Sequence, residues 1–199
     1  MKKRIISGLL AAAMVLGMTG CSGENGSTGV GGLKNAATAD KVSDEEAAIL
    51  VTGEDYPLTV RDYLKYETTI EKKPEKVAVM SGTPLNIWYD LGGKSICTSD
   101  VSNNVRLTEG YEDEIKSLPQ IGQVYSIDME SVVALEPDLI IAQVGTQSTQ
   151  GAKLCEMGYN VIQTHIRGFD DVLDTYRAFG KLLGQGELAE QRISELEQG

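Results

Sequence analysis

The sequence predicts an α/β fold: a Rossmann-like parallel sheet flanked by helices. Two observations carry this. A short apolar run at residues 77–80 reads as a strand buried on both faces, and further strands are read at 95–98, 139–142 and 161–163. Helical patterns separate these runs, and strands joined through helices form a parallel sheet covered on both sides.

The chain begins with Lys2, Lys3 and Arg4, then an apolar run over residues 9–16, then Met18-Thr19-Gly20-Cys21. A positive start, an apolar stretch and small residues in that order read as a secretory signal. The apolar run is too short to cross a bilayer, which takes ~20 residues. Small residues before a cysteine resemble a bacterial lipobox. That implies a lipoprotein signal peptide over residues 1–20 and lipidation at Cys21. Met18 departs from the commoner leucine. Residues 21–45 are dominated by Gly, Ser, Thr, Asn and Ala without periodicity, as expected of a flexible tether.

Residues 46–75 form an N-terminal extension. Residues 56–71 alternate loosely and are rich in Thr and Tyr, which predicts a hairpin. The α/β lobe is expected over residues 76–184. Its first strand, 77–80, turns at Ser81-Gly82-Thr83-Pro84, with Pro84 suited to a first helical position. A helix over 85–91 follows, its face made by Leu85, Trp88 and Leu91, so Trp88 belongs to the core. Asp128 is a good N-cap for a helix over 129–135. A further helix is expected over 152–157. Residues 169–183 carry Val172, Leu173, Tyr176, Phe179, Leu182 and Leu183 on one helical face. Gly184-Gln185-Gly186 breaks the pattern, and a last helix runs from 187 to 198 with no visible partner for its apolar residues. Such a short helix standing alone frays in water.

The chain has 199 residues and a formal net charge of −11. An acidic protein repels nucleic acid, so no nucleic-acid partner is expected. Catalytic signatures are missing: no GxxxxGK[ST], no GxGxxG, and no GxSxG, since Val79 stands where its first glycine belongs. His165 is the only histidine, so no HExxH zinc site can form. A serine triad remains formally open, but no spacing supports it. No enzyme activity, cofactor or resident metal is expected. Cys97 and Cys155 lack CxxC partners and read as two small buried residues, although export would permit a disulfide between them.

The block IGQVYSIDMESVVALEPDLIIA over residues 121–142 is the most informative. It resembles the segment after the second strand in periplasmic binding proteins of the siderophore, haem and cobalamin class. Similar in the same way are EKKPEKVAVM at 71–80, GYNVI at 158–162 and FDDVL at 169–173. The resemblance spans residues 56–199. It implies the N-terminal lobe of a two-lobe binding protein, with residues 185–199 starting the helix that crosses to the second lobe. By that pattern the chain stops about halfway, and one wall of the ligand cleft is absent.

In an open α/β sheet, ligands meet the loops at the carboxyl ends of the strands. The candidate ligand-binding residues are therefore Ser81, Gly82, Thr83, Asn103, Tyr125, Gln143, His165 and Arg167. Arg167 suits an anionic chelate, or is an ordinary exposed loop arginine. His165 either touches iron or fills a polar loop. Tyr125 can stack on a flat ligand. The resemblance further implies that Glu130 docks on arginines of an ABC permease through charge-assisted pairs. Glu130 also complements the dipole of its helix. Gln143 stands where cobalamin-binding relatives tend to place an aromatic residue, which lowers cobalamin relative to an iron siderophore or haem.

The expected function is a solute-binding lipoprotein, anchored to the membrane outside the cytoplasm. It would capture a metal chelate, a ferric siderophore foremost, for an ABC importer. Alternatives are haem or cobalamin as ligand, or a surface lipoprotein with a sensory or adhesive role.

Overall fold

A computed structural model describes residues 47–100 and 106–199. The expected signal peptide, its Cys21, the tether and Asn103 lie outside the described residues.

The N-terminal extension holds three strands, β1 (Leu50–Thr52), β2 (Leu58–Arg61) and β3 (Glu67–Ile70). They form an antiparallel sheet of order β1-β2-β3, with Val60 opposite both Val51 and Thr68. The expected hairpin is its β2–β3 part, while β1 has too little periodicity to be seen in the sequence.

The central sheet has the order β4-β7-β8, all parallel. Its strands are β4 (Val77–Val79), β7 (Leu139–Gln143) and β8 (Val161–Thr164). Side chains alternate between two apolar layers. Val77, Val79, Leu139, Ile141 and Ile162 enter a layer with Trp88 and Phe179. Ala78, Met80, Ile140, Ala142 and Val161 enter the opposite layer with Ile121, Val132 and Leu154. Burial on both faces is why these runs are continuously apolar.

The expected strand over 95–98 is not formed. Only Thr98 makes an isolated parallel bridge, to Gln120. The cause is local. Ser95 Oγ accepts from Val79 N–H at 3.0 Å and lies 3.2 Å from Val77 O and 2.6 Å from Cys97 O. The hydroxyl takes the place of ladder bonds, a competition characteristic of serine.

Helix α1 (Gly82–Asp90) starts two residues before Pro84, which still falls in the first turn where its missing N–H costs nothing. Trp88 is buried in the core, edge-on to Phe179 with centroids 5.2 Å apart. Two elements had no clear sequence signal: α2 (Glu112–Ser117), and the short hairpin of β5 (Gly122–Gln123) and β6 (Ser126–Ile127). Helix α3 (Met129–Ala134) starts as expected at Asp128, whose side chain accepts from Glu130 N–H. Helix α4 (Ser148–Glu156) begins four residues earlier than expected.

Helix α5 (Phe169–Leu183) matches its predicted bounds and ends at Gly184 in the left-handed region, φ 68°. Helix α6 (Gly186–Gln198) does have a partner, contrary to expectation. It turns back along α5 and buries Ala189 and Ile193. Gly180 makes this possible, since a Cβ there would sit 2.5 Å from the Ala189 Cβ. Arg192 on α6 pairs with Asp90 at 3.3 Å, and the Tyr176 hydroxyl donates to the same carboxylate at 2.9 Å.

Cys97 is buried, and burial pushes its thiol up to about 12. Cys155 is exposed, which corrects the expectation that both are buried, because it lies on the outward face of α4. Neither forms a disulfide among the described residues.

Candidate functional site

The loops after β4, β7 and β8 leave the same edge of the sheet, since the three strands are parallel. Two of them are tied directly: the Ser81 hydroxyl bonds to Gln143 Oε1. The third joins through Val144 N–H, which donates to Thr164 O at 2.8 Å. Thr164 Oγ1 in turn donates to Ala142 O at 3.1 Å.

Gln147, which sequence reading did not single out, organises this rim. It is wholly buried. Its Nε2 donates to Met80 O at 2.6 Å and to Val124 O at 3.3 Å. Its Oε1 accepts from Gln143 N–H at 3.0 Å. One amide therefore links the ends of β4 and β7 with the β5–β6 turn. A buried glutamine is rare unless every polar atom finds a partner, but burial is not legible from a loop sequence.

The predicted residues fall into three groups. Ser81 and Gln143 meet in the rim's centre, with Ser81 buried and Gln143 partly so. Gly82 and Thr83 open α1, where Thr83 is exposed. Tyr125 stands at the β5–β6 turn, 75% exposed, next to the Val124 carbonyl that Gln147 holds.

His165 and Arg167 lie at the β8 side and meet a residue from the N-terminal sheet. Tyr63, in the β2–β3 turn, packs its ring edge-on to His165 with centroids 4.5 Å apart. The Arg167 guanidinium lies over the same ring, 5.2 Å from its centroid. Arg167 also pairs with Asp171 at 3.4 Å. Asp171 accepts from the backbone N–H groups of Arg167 and Gly168 at 2.9 and 3.2 Å, closing the start of α5. His165 Nδ1 is enclosed without a hydrogen-bond partner among the described residues. Such an atom costs ~1–3 kcal/mol when nothing supplies the bond.

The β2–β3 turn is brought here by Asp62. Its buried carboxylate accepts from Gln163 N–H at 3.1 Å and Tyr66 N–H at 3.0 Å. Tyr63 N–H completes the junction by donating to Gln163 O at 3.1 Å. Burial raises the Asp62 carboxyl above its ordinary range, more than these N–H groups lower it.

Glu130 is exposed in the first turn of α3. Beneath it, bonds from the Ser131 hydroxyl and the helix N–H groups hold the Asp128 carboxyl below its usual range. Glu130 is thus a free surface carboxylate on a rigidly capped helix start. Elsewhere, a groove of about 1010 Å³ runs between β1, α5 and the start of α6. None of the predicted ligand-binding residues lines it.

With this geometry in view, the chain belongs to the periplasmic binding protein family, whose model matches residues 77–199. Among curated relatives, it is 24% identical to an uncharacterised ABC transporter substrate-binding lipoprotein, YvrC of Bacillus subtilis, over 71% of this chain and 44% of that one. It is 23% identical to a cobalamin-binding protein of Halobacterium salinarum, over 71% of this chain and 38% of that one. Among solved structures it is similar to the periplasmic catecholate-siderophore binding protein VctP of Vibrio cholerae. There the TM-score is 0.60 at 21% identity, over 70% of this chain and 50% of that one. The chain thus spans half or less of the length of each of these proteins.

Proposed function

We propose that this chain supplies a ligand-capturing lobe of an exported solute-binding lipoprotein, which hands a metal chelate to an ABC importer. The observation that carries this reading is the rim itself. The loops after β4 and β7 are cross-linked by Ser81, Gln143 and Gln147, and the β8 end joins them through the Val144–Thr164 backbone bond, giving a preorganised polar rim. Membership of a solute-binding family supports capture and argues against catalysis.

A ferric siderophore is the preferred ligand. The rim offers hydroxyls, amides and the Arg167 cation, which suit an oxygen-rich anion. Cobalamin is the second reading, favoured by the relative named for it and by the exposed Tyr125 ring. Glu130 serves as the docking carboxylate for the permease, and Cys21 as the lipid anchor. On this reading the protein works outside the cytoplasm, held to the membrane by its N-terminus.

A single lobe presents one wall of a cleft, so affinity should be low. Calorimetric titration of residues 41–199 with ferric siderophores, haem and cobalamin is expected to give dissociation constants weaker than micromolar, with siderophores best. Submicromolar binding would show that one lobe suffices and that the pocket is misplaced. No binding to any of them would remove the reading.

A further inference from the structure

The Tyr63 ring joins two rim residues without belonging to the lobe's own strands. It comes from the turn of the antiparallel sheet, fixed against β8 by Asp62 and Gln163. One ring holds the His165 imidazole edge-on at 72° and the Arg167 guanidinium at 5.2 Å. Among the described residues of the loops after β4, β7 and β8, Arg167 is the only Lys or Arg. Its charge is more than half exposed, at 59%. Asp171 takes one edge through Nε, and no other described acceptor engages it.

We propose that Tyr63 is a positioning residue that holds Arg167 and His165 as a paired donor set for carboxylate groups on an anionic metal chelate. The proposal rests on the reading of the rim as the capture surface, and it narrows the ligand class. A guanidinium binds carboxylate as a planar fork, so its orientation decides the geometry. Free in solvent, an arginine loses considerable rotamer freedom on binding. Held between an aromatic face and Asp171, it has lost much of it already, which strengthens binding without a new contact. The His165 imidazole is a second polar group in the same cluster; it is partly exposed, while its unpartnered Nδ1 is enclosed and does not itself face the ligand. The N-terminal sheet would then be part of the recognition apparatus and not a spacer between tether and lobe.

The test is an NMR titration of the mature chain with gallium(III) citrate, a diamagnetic carboxylate chelate, beside cyanocobalamin and haem. Three variants are compared: Tyr63→Phe keeps the aromatic face, Tyr63→Leu keeps apolar bulk alone, and Arg167→Ala removes the cation. Gallium citrate is expected to shift resonances of residues 81–83, 143–146 and 165–167. Tyr63→Phe should bind as wild type does. Tyr63→Leu should bind about three- to tenfold more weakly, with the Arg167 Nε–H group visibly more mobile and the remaining spectrum unchanged. Equal affinity in Tyr63→Leu and wild type would overturn the positioning role. A rim that responds to cyanocobalamin or haem but not to gallium citrate would overturn the carboxylate class. A rim that responds to none would remove the underlying reading as well.

Discussion

The two three-stranded sheets meet the core in different ways. In the parallel sheet every residue from Val77 to Val79 and from Leu139 to Ala142 is buried, and both faces meet apolar layers. In the antiparallel sheet burial alternates, as in β2, and the sheet is joined to β8 by a few directed bonds through Asp62, Tyr63 and Thr68. The parallel sheet is buried on both faces. The antiparallel sheet buries one face, through Val51, Leu58, Val60 and Ile70, in the same apolar cluster as Val79 and Phe179, and adds the directed bonds at its turn. Substitutions in that cluster should therefore act on the whole fold, and those at the turn locally.

The largest effect is expected for Ile141→Ala, in the middle of β7. It should cost about 2–5 kcal/mol by opening a cavity between sheet and helices, measured by urea denaturation with one cooperative transition. A loss confined to part of the molecule would break the contrast.

Next comes Gly180→Ala, which forces a Cβ to 2.5 Å from Ala189 where α5 meets α6. Overpacking of this kind costs ~1–3 kcal/mol. Amide exchange should accelerate in α6 well before β7, and equal acceleration in both would contradict the packing described.

Asp62→Asn should cost about 1–3 kcal/mol, because an amide has one accepting oxygen for the two N–H groups and leaves one of them unpaired. Its pH dependence sharpens the comparison. The Asp62 carboxyl is raised in the fold, so the folded chain holds its proton more tightly than the unfolded chain, whose value lies near ~3.9. Wild-type stability from this group is thus greatest below that value and falls as pH rises through the raised one. The deficit of Asp62→Asn should shrink from pH ~4 upward. A deficit that grows with pH would reverse the assignment.

The smallest effect on stability belongs to Glu130→Ala, within about ±0.5 kcal/mol because its side chain is exposed. In a two-lobe protein carrying this lobe, the same change should abolish uptake while ligand affinity stays unchanged. Loss of affinity would place Glu130 in the capture surface.

What was legible in the sequence follows the same division. The apolar runs at β4, β7 and β8 announce themselves because burial on both faces leaves no polar position. The face of α5 was equally plain. Ser95–Thr98 looked like a strand because its composition is right, yet the Ser95 hydroxyl diverts the backbone, and no pattern of apolarity encodes that. The partner of α6 was hidden because Gly180 acts through the side chain it lacks.

At the site, loop positions predicted from topology placed Ser81, Gln143, His165 and Arg167 on one rim. Gln147 and Tyr63 were missed for opposite reasons. Gln147 reads as a polar loop residue but is buried at the rim's centre. Tyr63 reads as part of a hairpin, and only tertiary contact across 102 residues brings it beside His165.

The central claim is that capture occurs at the carboxyl-terminal rim of the parallel sheet. Paramagnetic broadening of amide resonances by a ferric siderophore tests it most directly, because iron acts through space and needs no tight complex. Residues 81–83, 143–146 and 164–167 should broaden first, with the α5–α6 groove around Gly180 and Glu190 unaffected. Broadening centred on that groove, or spread evenly over the surface, would contradict it.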